Sequence, residues 1–359
     1  MNQTKVAIIG AGWRADFYLR LALLMPDKFE VVGWVVRDQA KAKASPVKTY
    51  TSVSELLVHE KPDYAISAVT WLSNPDVLAL LVEAGIPVLS ETPPAGDADA
   101  LRKLWSAVGA KNLVQVAEQY MRLPMHAARL AVTRQGVIGQ VSSVQVSSTH
   151  GYHAVAIMRS FLEAGFGETK VNASSFKAPL VDPLTRGGWN QDLEPKIAST
   201  VLATIDFGEG KSGLFDFTDN QWHNQLRHRR LVVRGSLGEI VDNDCIRLIQ
   251  IRAITKSQFT RYQLGHDLNL DGHDTEHISF DGKAVYNNPF VGHRLMDEEI
   301  AIASLMLEMS DWVKGSGPAP YPLAQASQDH LISLAIDDSL AKGVPVTTST
   351  ELWANNEPK

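Results

Sequence analysis

The chain has 359 residues, of which 45% are hydrophobic and 21% are charged, and its formal net charge at pH 7 is −6. The length predicts two domains, and the composition is typical of a soluble globular protein rather than a disordered, collagenous or coiled-coil chain. The negative net charge gives no general attraction to nucleic acid or to anionic lipid, so we expect neither a nucleic-acid nor a membrane partner.

Cys245 is the only cysteine, so we expect neither an intramolecular disulfide nor a cysteine zinc site. The N-terminal apolar run is short and is interrupted by glycine, which argues against a signal peptide or a membrane span. We therefore expect a cytoplasmic protein.

A glycine-rich turn follows the first predicted strand, residues 6–9. The turn runs from Gly10 to Ala15, and residues 16–24 have apolar side chains at helical spacing. This strand–turn–helix context is the one that a G-x-G-x-x-G/A dinucleotide fingerprint requires. Gly10 allows the tight turn, Gly12 lets a pyrophosphate approach the backbone, and Ala15 lets the helix pack closely. The N-terminus of the helix supplies free amides and a positive dipole.

Alternating strands and helices continue beyond this turn. Strands are predicted over 30–36, 63–69, 87–90 and 113–117, and helices over 52–59, 74–85 and 98–108. Short links between such units imply a parallel sheet that is covered on both faces. The first part of the chain is therefore predicted to be a doubly wound dinucleotide-binding domain.

The residue that meets the ribose 2′ position decides between NAD and NADP. It is expected about 20 residues beyond Ala15, where Val36 cannot accept a hydrogen bond. Arg37 could pair with the 2′-phosphate of NADP, whereas Asp38 could hold the ribose diol of NAD. A solvated turn is the alternative for both residues, because the composition that follows is typical of a loop. The choice between NAD and NADP stays open.

Several passages resemble the Gfo/Idh/MocA oxidoreductases, the family of glucose–fructose oxidoreductase and inositol dehydrogenase. They are VAIIGAGWRADFY, EAGIPVLSETPPA, VQVAEQYMRLP, GVIGQVSSVQV, GSLGEIVDN, DEEIAIA and YPLAQASQDHLISL. The resemblance implies an α/β protein with a Rossmann domain over 1–122. It further implies a substrate-binding α+β domain over 123–359, which has a large open, mostly antiparallel sheet. The implied cofactor is NAD or NADP, the implied ligand is carbohydrate-like, and the open sheet implies a homodimer or homotetramer.

Two motifs of this family are altered in the chain. The Glu-Lys-Pro motif, which places a lysine beside the nicotinamide, reads Glu-Thr-Pro at 91–93, and Thr92 carries no charge. The family's Asp-x-Gly-x-His-x-x-Asp run aligns with residues 149–156, where Gly151 and His153 match and both aspartates are absent. The joint loss of the lysine and both carboxylates suggests that a charged cluster has been rebuilt.

These motifs leave three functions open. In a dehydrogenase of sugars, glycosides or polyols, His153 would accept the hydroxyl proton while a hydride passes to the nicotinamide, with Tyr152 or His150 as a neighbouring donor. In an NAD-dependent redox-cycling glycoside hydrolase of the same superfamily, Tyr152 and His153 would share the acid and base tasks, with Thr92 as the replaced lysine. A non-catalytic NAD(P)-dependent sugar sensor is the third function. A structural alternative is that His153 only caps a helix predicted over 154–162 or satisfies a buried polar group.

The remaining candidate ligands come from both halves of the chain. The predicted cofactor set also contains Trp13, Arg14, Glu91 and Gln119. The predicted substrate set contains Arg122, His150, Trp189, Trp222 and His223. Trp189 lies in a predicted loop and could instead be a buried anchor, while the basic run 227–230 suits an anionic sugar, another subunit or a solvated strand end.

No metal site is expected. The pairs His150/His153 and His273/His277 have ligand-like spacings, but the second pair lies in a polar stretch that is predicted to be a loop. The second domain is otherwise predicted to contain strands over 201–207, 213–218, 231–234 and 246–251, and helices over 296–313 and 324–341.

Overall fold

The computed structural model describes residues 3–265, 272 and 274–356. The chain folds into two compact units. The first contains the described residues up to Leu123 together with Pro289–Gln328, and the second contains Pro124–Asn288 and Asp329–Ala354. The prediction that all of 123–359 belongs to the second domain is therefore wrong. Residues 289–328 return to the first unit, where Tyr64 donates a hydrogen bond to the carbonyl of Met306.

The first unit is built on a six-stranded parallel sheet in the order β3-β2-β1-β4-β5-β6. The strands are β1 (Thr4–Ile9), β2 (Phe29–Val35), β3 (Thr49–Tyr50), β4 (Tyr64–Ser67), β5 (Val88–Ser90) and β6 (Val114–Val116). Nearly every residue of β1 and β4 is buried, which is typical of central strands in a sheet covered on both faces. The predicted Rossmann architecture is confirmed.

Five helices accompany these strands in the first part of the chain. They are α1 (Trp13–Leu24), α2 (Gln39–Ala44), α3 (Val53–His59), α4 (Asn74–Glu83) and α5 (Ala98–Val108), followed by short 3-10 turns at Gly109–Lys111 and Tyr120–Arg122. Helix α2 corrects the prediction of a loop after β2. The side chain of Asp38 accepts hydrogen bonds from the amides of Ala40 and Lys41, so it is the N-cap of this short helix.

The second unit is built on a nine-stranded sheet in the order β16-β15-β14-β13-β7-β12-β11-β8-β20. Neighbours are antiparallel except β7 and β12, so the predicted mostly antiparallel sheet is confirmed. Its strands are β7 (Val141–Ser147), β8 (Lys170–Leu180), β11 (Lys196–Gly208), β12 (Lys211–Thr218), β13 (Arg230–Gly235), β14 (Gly238–Val241), β15 (Asp244–Gln250), β16 (Ala253–Gln258) and β20 (Val346–Thr347).

Two smaller sheets correct predicted loops. They are a hairpin of β9 (Leu184–Thr185) and β10 (Gly188–Trp189), and a three-stranded sheet of β17 (Thr260–Leu264), β18 (Asp274–Phe280) and β19 (Lys283–Asn287). The sequence predicts loops at Trp189 and His277, which instead lie on β10 and β18, because strand pairing outweighs the local preference of these polar stretches. His277 lies on β18, where its ring stacks on Tyr262 at 4.4 Å between centroids.

The remaining helices are α6 (Pro124–Arg134), α7 (Gly151–Leu162), α8 (Asp297–Val313) and α9 (Leu323–Lys342), with a 3-10 turn at Leu352–Asn356. Helix α7 is apolar around most of its circumference, and nearly all of it is buried. Within the second unit Arg159 of α7 forms an ion pair with Asp329 at 2.6 Å, and both side chains are almost fully buried. This pair fixes α7 against α9. No described helix is long and apolar enough to cross a membrane.

Candidate dinucleotide and proton-transfer sites

The glycine turn of the first unit has the shape of a phosphate cradle. Gly10 has φ +126°, and a Cβ on it would lie 2.3 Å from the carbonyl oxygen of Ala68, so only glycine fits this position. A Cβ on Gly12, in contrast, would meet no described atom within 4 Å. Gly12 is the N-cap of α1 and has no side chain with which to cap that helix end. The open space beside Gly12, at the positive end of the α1 dipole, fits the pyrophosphate of a dinucleotide.

Arg14 and Glu91, both predicted cofactor ligands, are held to each other. The Nε atom of Arg14 lies 3.4 Å from Oε1 of Glu91, and its Nη1 atom lies 2.9 Å from Oε1 of Glu298 on α8. Tyr18 donates a hydrogen bond of 2.6 Å to the same Glu91 oxygen. The ring of Trp13 lies 4.2 Å from the Arg14 guanidinium, and the Trp13 side chain is half exposed. These contacts give Arg14 and Glu91 a positioning role between α1 and the end of β5.

The pKa values of Arg14 and Tyr18 are both shifted by their charged neighbours and by burial. Burial opposes the charge of Arg14, but Glu91 and Glu298 outweigh it and raise the pKa of the guanidinium. Burial, followed by the Glu91 charge, raises the pKa of Tyr18 well above its ordinary value. Tyr18 is therefore a neutral hydroxyl that donates its hydrogen bond to Glu91.

Thr92 follows Glu91 at the carboxyl end of β5, and its side chain is half-buried. The Glu91 amide donates to the carbonyl of Ser67 at the end of β4, and the Thr92 amide approaches Oε2 of Glu91 at 3.3 Å. The Thr92–Pro93 peptide is cis. The altered motif is thus at the carboxyl edge of the sheet, where ligands bind in doubly wound folds. Its contact with the nicotinamide stays a prediction.

The residues at the end of β2 bear on the choice between NAD and NADP. Arg37 is exposed, whereas Oδ1 of Asp38 already accepts two amide hydrogen bonds from α2. A residue that the sequence reasoning missed is Lys41, whose Nζ atom lies 2.8 Å from the Ala11 carbonyl oxygen and 2.7 Å from Asp16. The only feature of the sequence that could have pointed to Lys41 was its basic side chain, one helical turn after Asp38. The segment from the end of β2 into α2 therefore carries two cations, the exposed Arg37 and the Asp16-paired Lys41.

Two further predicted ligands lie after β6. Gln119 is buried and precedes the 3-10 turn Tyr120–Arg122. Arg122 donates to Glu308 of α8 through Nε at 2.8 Å and Nη2 at 2.5 Å, and to the carbonyls of Glu118 and Pro320. These bonds tie the end of β6 to α8, and a substrate contact by Arg122 stays a prediction.

The second unit brings together a histidine cluster formed by His150, Tyr152, His153 and His330. The ring centroids of His150 and His153 are 4.8 Å apart, those of Tyr152 and His153 are 5.1 Å apart, and those of Tyr152 and His330 are 5.8 Å apart. His153, Tyr152 and His330 are buried to more than nine-tenths. The sequence predicted His150, Tyr152 and His153 as site residues. His330 lies 177 residues beyond His153 in the chain, and only the packing of α9 on α7 reveals it.

Helix α7 begins three residues earlier than predicted. Its N-cap is His150, so Tyr152 and His153 lie in the first helical turn, and the alternative that His153 caps the helix is wrong. His150 is an exposed residue, yet desolvation of its ring lowers its pKa to about 4, and the charges of His153 and His330 act in the same direction. His150 is therefore neutral at physiological pH and can accept or donate a hydrogen bond.

Trp222 extends the histidine cluster, but the polar residues beside it serve the fold. Its ring stacks on Phe217 at 5.0 Å and meets His150 edge-on at 5.8 Å, while His223 packs against it at 6.2 Å. Gln221 and Asn224 are buried and bond to backbone groups, so they are not free for a substrate.

Trp189 and the basic run 227–230 are exposed on the second unit. Trp189 is 72% exposed on β10, so the alternative of a buried anchor is wrong. Residues 227–230 are exposed, with Arg230 paired to Asp216 at 3.0 Å and Arg229 bonded to the carbonyl of Trp222.

Within the described ranges no group of three or more His, Cys, Asp or Glu side chains could hold a metal ion. Of the second predicted histidine pair, His273 lies outside the described residues. Cys245 is buried within β15, where burial raises the pKa of its thiol.

A Rossmann sheet with an open glycine cradle defines the first unit as a dinucleotide-binding domain. Residues 4–119 match the model of the Gfo/Idh/MocA oxidoreductase family, described as an oxidoreductase family with an NAD-binding Rossmann fold. This match confirms the resemblance over that region and the expected cofactor class, NAD or NADP. The uncharacterized protein YMR315W of Saccharomyces cerevisiae is 30% identical over 158 residues, which are 42% of this chain and 45% of the length of the yeast protein.

Solved structures share the fold over almost the whole chain. A myo-inositol dehydrogenase from Corynebacterium glutamicum has 16% identity and a TM-score of 0.66, over 97% of this chain and 99% of that one. An oxidoreductase from Agrobacterium radiobacter in complex with NAD+, L-tartaric acid and magnesium has 14% identity and a TM-score of 0.67, over 96% and 98%. The WlbA dehydrogenase of Bordetella pertussis with NADH and UDP-GlcNAcA has 15% identity and a TM-score of 0.63, over 97% and 98%.

Substitution of Gly12 tests the cradle. Because Gly12 has φ −78° and open space around its Cα, the Gly12→Val variant is expected to fold with an unchanged melting temperature. Its branched side chain would occupy the pyrophosphate position, so dinucleotide affinity measured by calorimetry is expected to fall roughly 100-fold. Gly167→Val is the control, since its added atoms also meet open space but in the second unit. Equal affinities in the two variants would contradict the cradle.

Substitution of the two cations tests the ribose preference. We expect NADPH to bind more tightly than NADH, and Arg37→Ala and Lys41→Ala each to weaken NADPH binding by about 10-fold while NADH binding changes little. Calorimetric titration with both cofactors measures this difference. Lys43→Ala, on the same short helix, is the control. A wild-type preference for NADH would contradict the assignment.

Proposed function

We propose that the protein is an NAD(P)-dependent oxidoreductase that oxidises a secondary hydroxyl of a sugar, glycoside or polyol. The observation that carries the proposal is the histidine cluster around His153, combined with the NAD-binding Rossmann domain of the first unit. Structures that share the fold include a myo-inositol dehydrogenase and a dehydrogenase in complex with UDP-GlcNAcA. Polyhydroxylated ligands of this kind supply the secondary hydroxyl that the reaction needs.

The proposed chemistry assigns a proton task to His153. The bound dinucleotide supplies the hydride acceptor. His153 takes the hydroxyl proton of the substrate, because a neutral imidazole is a base near pH 7. His150 is neutral above its pKa of about 4, so it places no positive charge beside His153. His150 can also form a hydrogen bond to a substrate hydroxyl. Trp222 offers an aromatic surface for the C–H face of a sugar.

The redox-cycling glycoside hydrolase is the second candidate, and two features favour it. Thr92 stands where the related enzymes carry a lysine, and the two lost aspartates are replaced by the buried, uncharged residues Thr149 and Ala156. Tyr152 and His153 are adjacent proton carriers that could serve as base and acid. In this reaction a sugar hydroxyl is oxidised, the aglycone is eliminated, water adds, and the hydride returns, so no reduced cofactor accumulates.

Incubation with NAD+ or NADP+ and a panel of polyols and of aryl and alkyl glycosides distinguishes these functions. The proposed dehydrogenase predicts net NAD(P)H absorbance, whereas the glycoside hydrolase predicts aglycone release without net reduced cofactor. His153→Ala is expected to lower turnover ~10²–10⁴-fold with unchanged cofactor affinity. His59→Ala, on α3, is the control. Cofactor binding with neither signal would favour a non-catalytic sensor, and a small effect of His153→Ala would contradict its role as base.

We also propose that the nine-stranded sheet joins copies of the chain into a homodimer or homotetramer. Its outer strands expose apolar side chains that share a face: Leu248 pairs directly with Ile254, and Phe176 lies on the same face as Leu202. Exposed apolar surface of this kind is commonly covered by association. Sedimentation velocity is expected to give a dimer or tetramer mass, and Leu248→Glu with Ile254→Lys to lower it. A monomer mass for the wild type would contradict this proposal.

A further inference from the structure

The turn after β4 carries an exposed aromatic side chain, Trp71, at the carboxyl edge of the parallel sheet. The indole is 50% exposed. Strands β1 and β4 are neighbours in the sheet although they are not consecutive, so the strand order reverses between them. In doubly wound folds the ligand crevice lies at the carboxyl ends of the strands, at this reversal point. Trp71 is therefore on the rim of the crevice that the glycine turn also borders.

The turn that carries Trp71 is held rigidly. The carbonyl of Thr70 accepts hydrogen bonds from the amides of Ser73 at 2.9 Å and Asn74 at 3.0 Å. Asn74 is fully buried, and its side-chain amide accepts from Ser67 at the end of β4 and donates to Ser90 at the end of β5. The two strand ends are thereby joined beneath the turn.

The indole itself is held from one side. It covers Gly96, where a Cβ would lie 2.3 Å from the Cε3 atom of Trp71. Gly96 follows the Glu-Thr-Pro motif, and the Asn74 side chain also donates to the carbonyl of Pro94 in this segment at 3.0 Å. One part of the ring is thus packed against the segment after β5, while the rest faces solvent. Gly96, which accommodates the ring, and the buried Asn74, which anchors the turn, distinguish Trp71 from an exposed tryptophan on an unsupported loop.

The strand order decides which half of a dinucleotide reaches Trp71. The pyrophosphate fits the N-terminus of α1, and the ribose of the adenosine half lies at the end of β2 in folds of this type. The adenosine half therefore extends to the β2 side of β1. The nicotinamide half extends to the other side, over the ends of β4 and β5, where Trp71 and Thr92 lie.

We propose that Trp71 is a cofactor-binding residue whose exposed indole surface packs against the nicotinamide half of the dinucleotide. A flat aromatic ring loses little conformational entropy when it binds another flat ring, and offset or edge-on packing of the two adds to the burial of apolar surface. The inference needs only dinucleotide binding by the first unit, not any particular activity, so it can fail while the proposed reaction stands.

A comparison of two ligands tests this inference, because ADP-ribose contains the adenosine and both phosphates but has no nicotinamide. Isothermal titration of the full chain with reduced cofactor is expected to show that Trp71→Ala weakens binding by about tenfold. The same variant is expected to bind ADP-ribose with unchanged affinity. NADPH with 2′-phospho-ADP-ribose replaces NADH with ADP-ribose if the wild type prefers the phosphorylated cofactor. Leu72→Ala is the matched control, because Leu72 is the adjacent residue and is 74% exposed.

Two conservative variants keep the inference testable if Trp71→Ala does not fold. Trp71→Phe retains a ring and is expected to bind both ligands within about twofold of the wild type. Trp71→Leu retains apolar bulk without a ring, and it is expected to weaken binding of the reduced cofactor alone. Equal weakening of both ligands, or of neither, would overturn the inference. A wild type that binds neither ligand would overturn both the inference and the dinucleotide site.

Discussion

The carboxylate of Glu91 is the contact on which the dinucleotide half of the protein depends. It accepts a hydrogen bond from Tyr18 in the middle of α1 and lies within ion-pair distance of Arg14 at the start of α1, which also binds Glu298 of α8. One half-buried acid therefore joins the start of α1, the end of β5 and the helix that begins at residue 297. Because partial removal from water makes an unpaired charge costly, each of these partners stabilises the others at this junction.

The second unit, in contrast, places uncharged groups around His153. The family pattern places two carboxylates around the histidine at position 153, whereas this chain has Thr149 and Ala156 there, both buried. Uncharged rings surround His153 instead, with His150 kept neutral by its low pKa. The buried Arg159–Asp329 ion pair fixes α7 against α9. The orientation of His153 in this cluster rests on ring packing against its neighbours.

Local patterns predicted most of the fold, and their failures have physical causes. Five of the six Rossmann strands and α5 were predicted to within two residues at each end, because buried parallel strands and capped amphipathic helices have strong local signals. The two-residue strand β3 was not predicted. Helix α2 was missed because its six residues resemble a loop, and only the Asp38 cap reveals it. Strand β18 was not predicted, because the Gly and Asp residues in and before it are typical of a loop. Its pairing with β17 and β19 makes this segment a strand. His330 and Lys41 were missed because their importance lies in neighbours that are distant along the chain.

The amino-acid sequence was sufficient to establish the class of fold, the glycine turn, the cofactor class and the altered Glu-Thr-Pro and His153 motifs. Each of these is a short-range pattern, since strand–turn–helix spacing and motif residues are read from consecutive positions. The folded chain was needed to show that residues 289–328 belong to the first unit, that Arg14 and Glu91 bind each other, and that His330 joins the histidine cluster. These are pairings between segments separated by tens to hundreds of residues. Such pairings depend on which buried surfaces and charges fit together, and no local pattern encodes that fit.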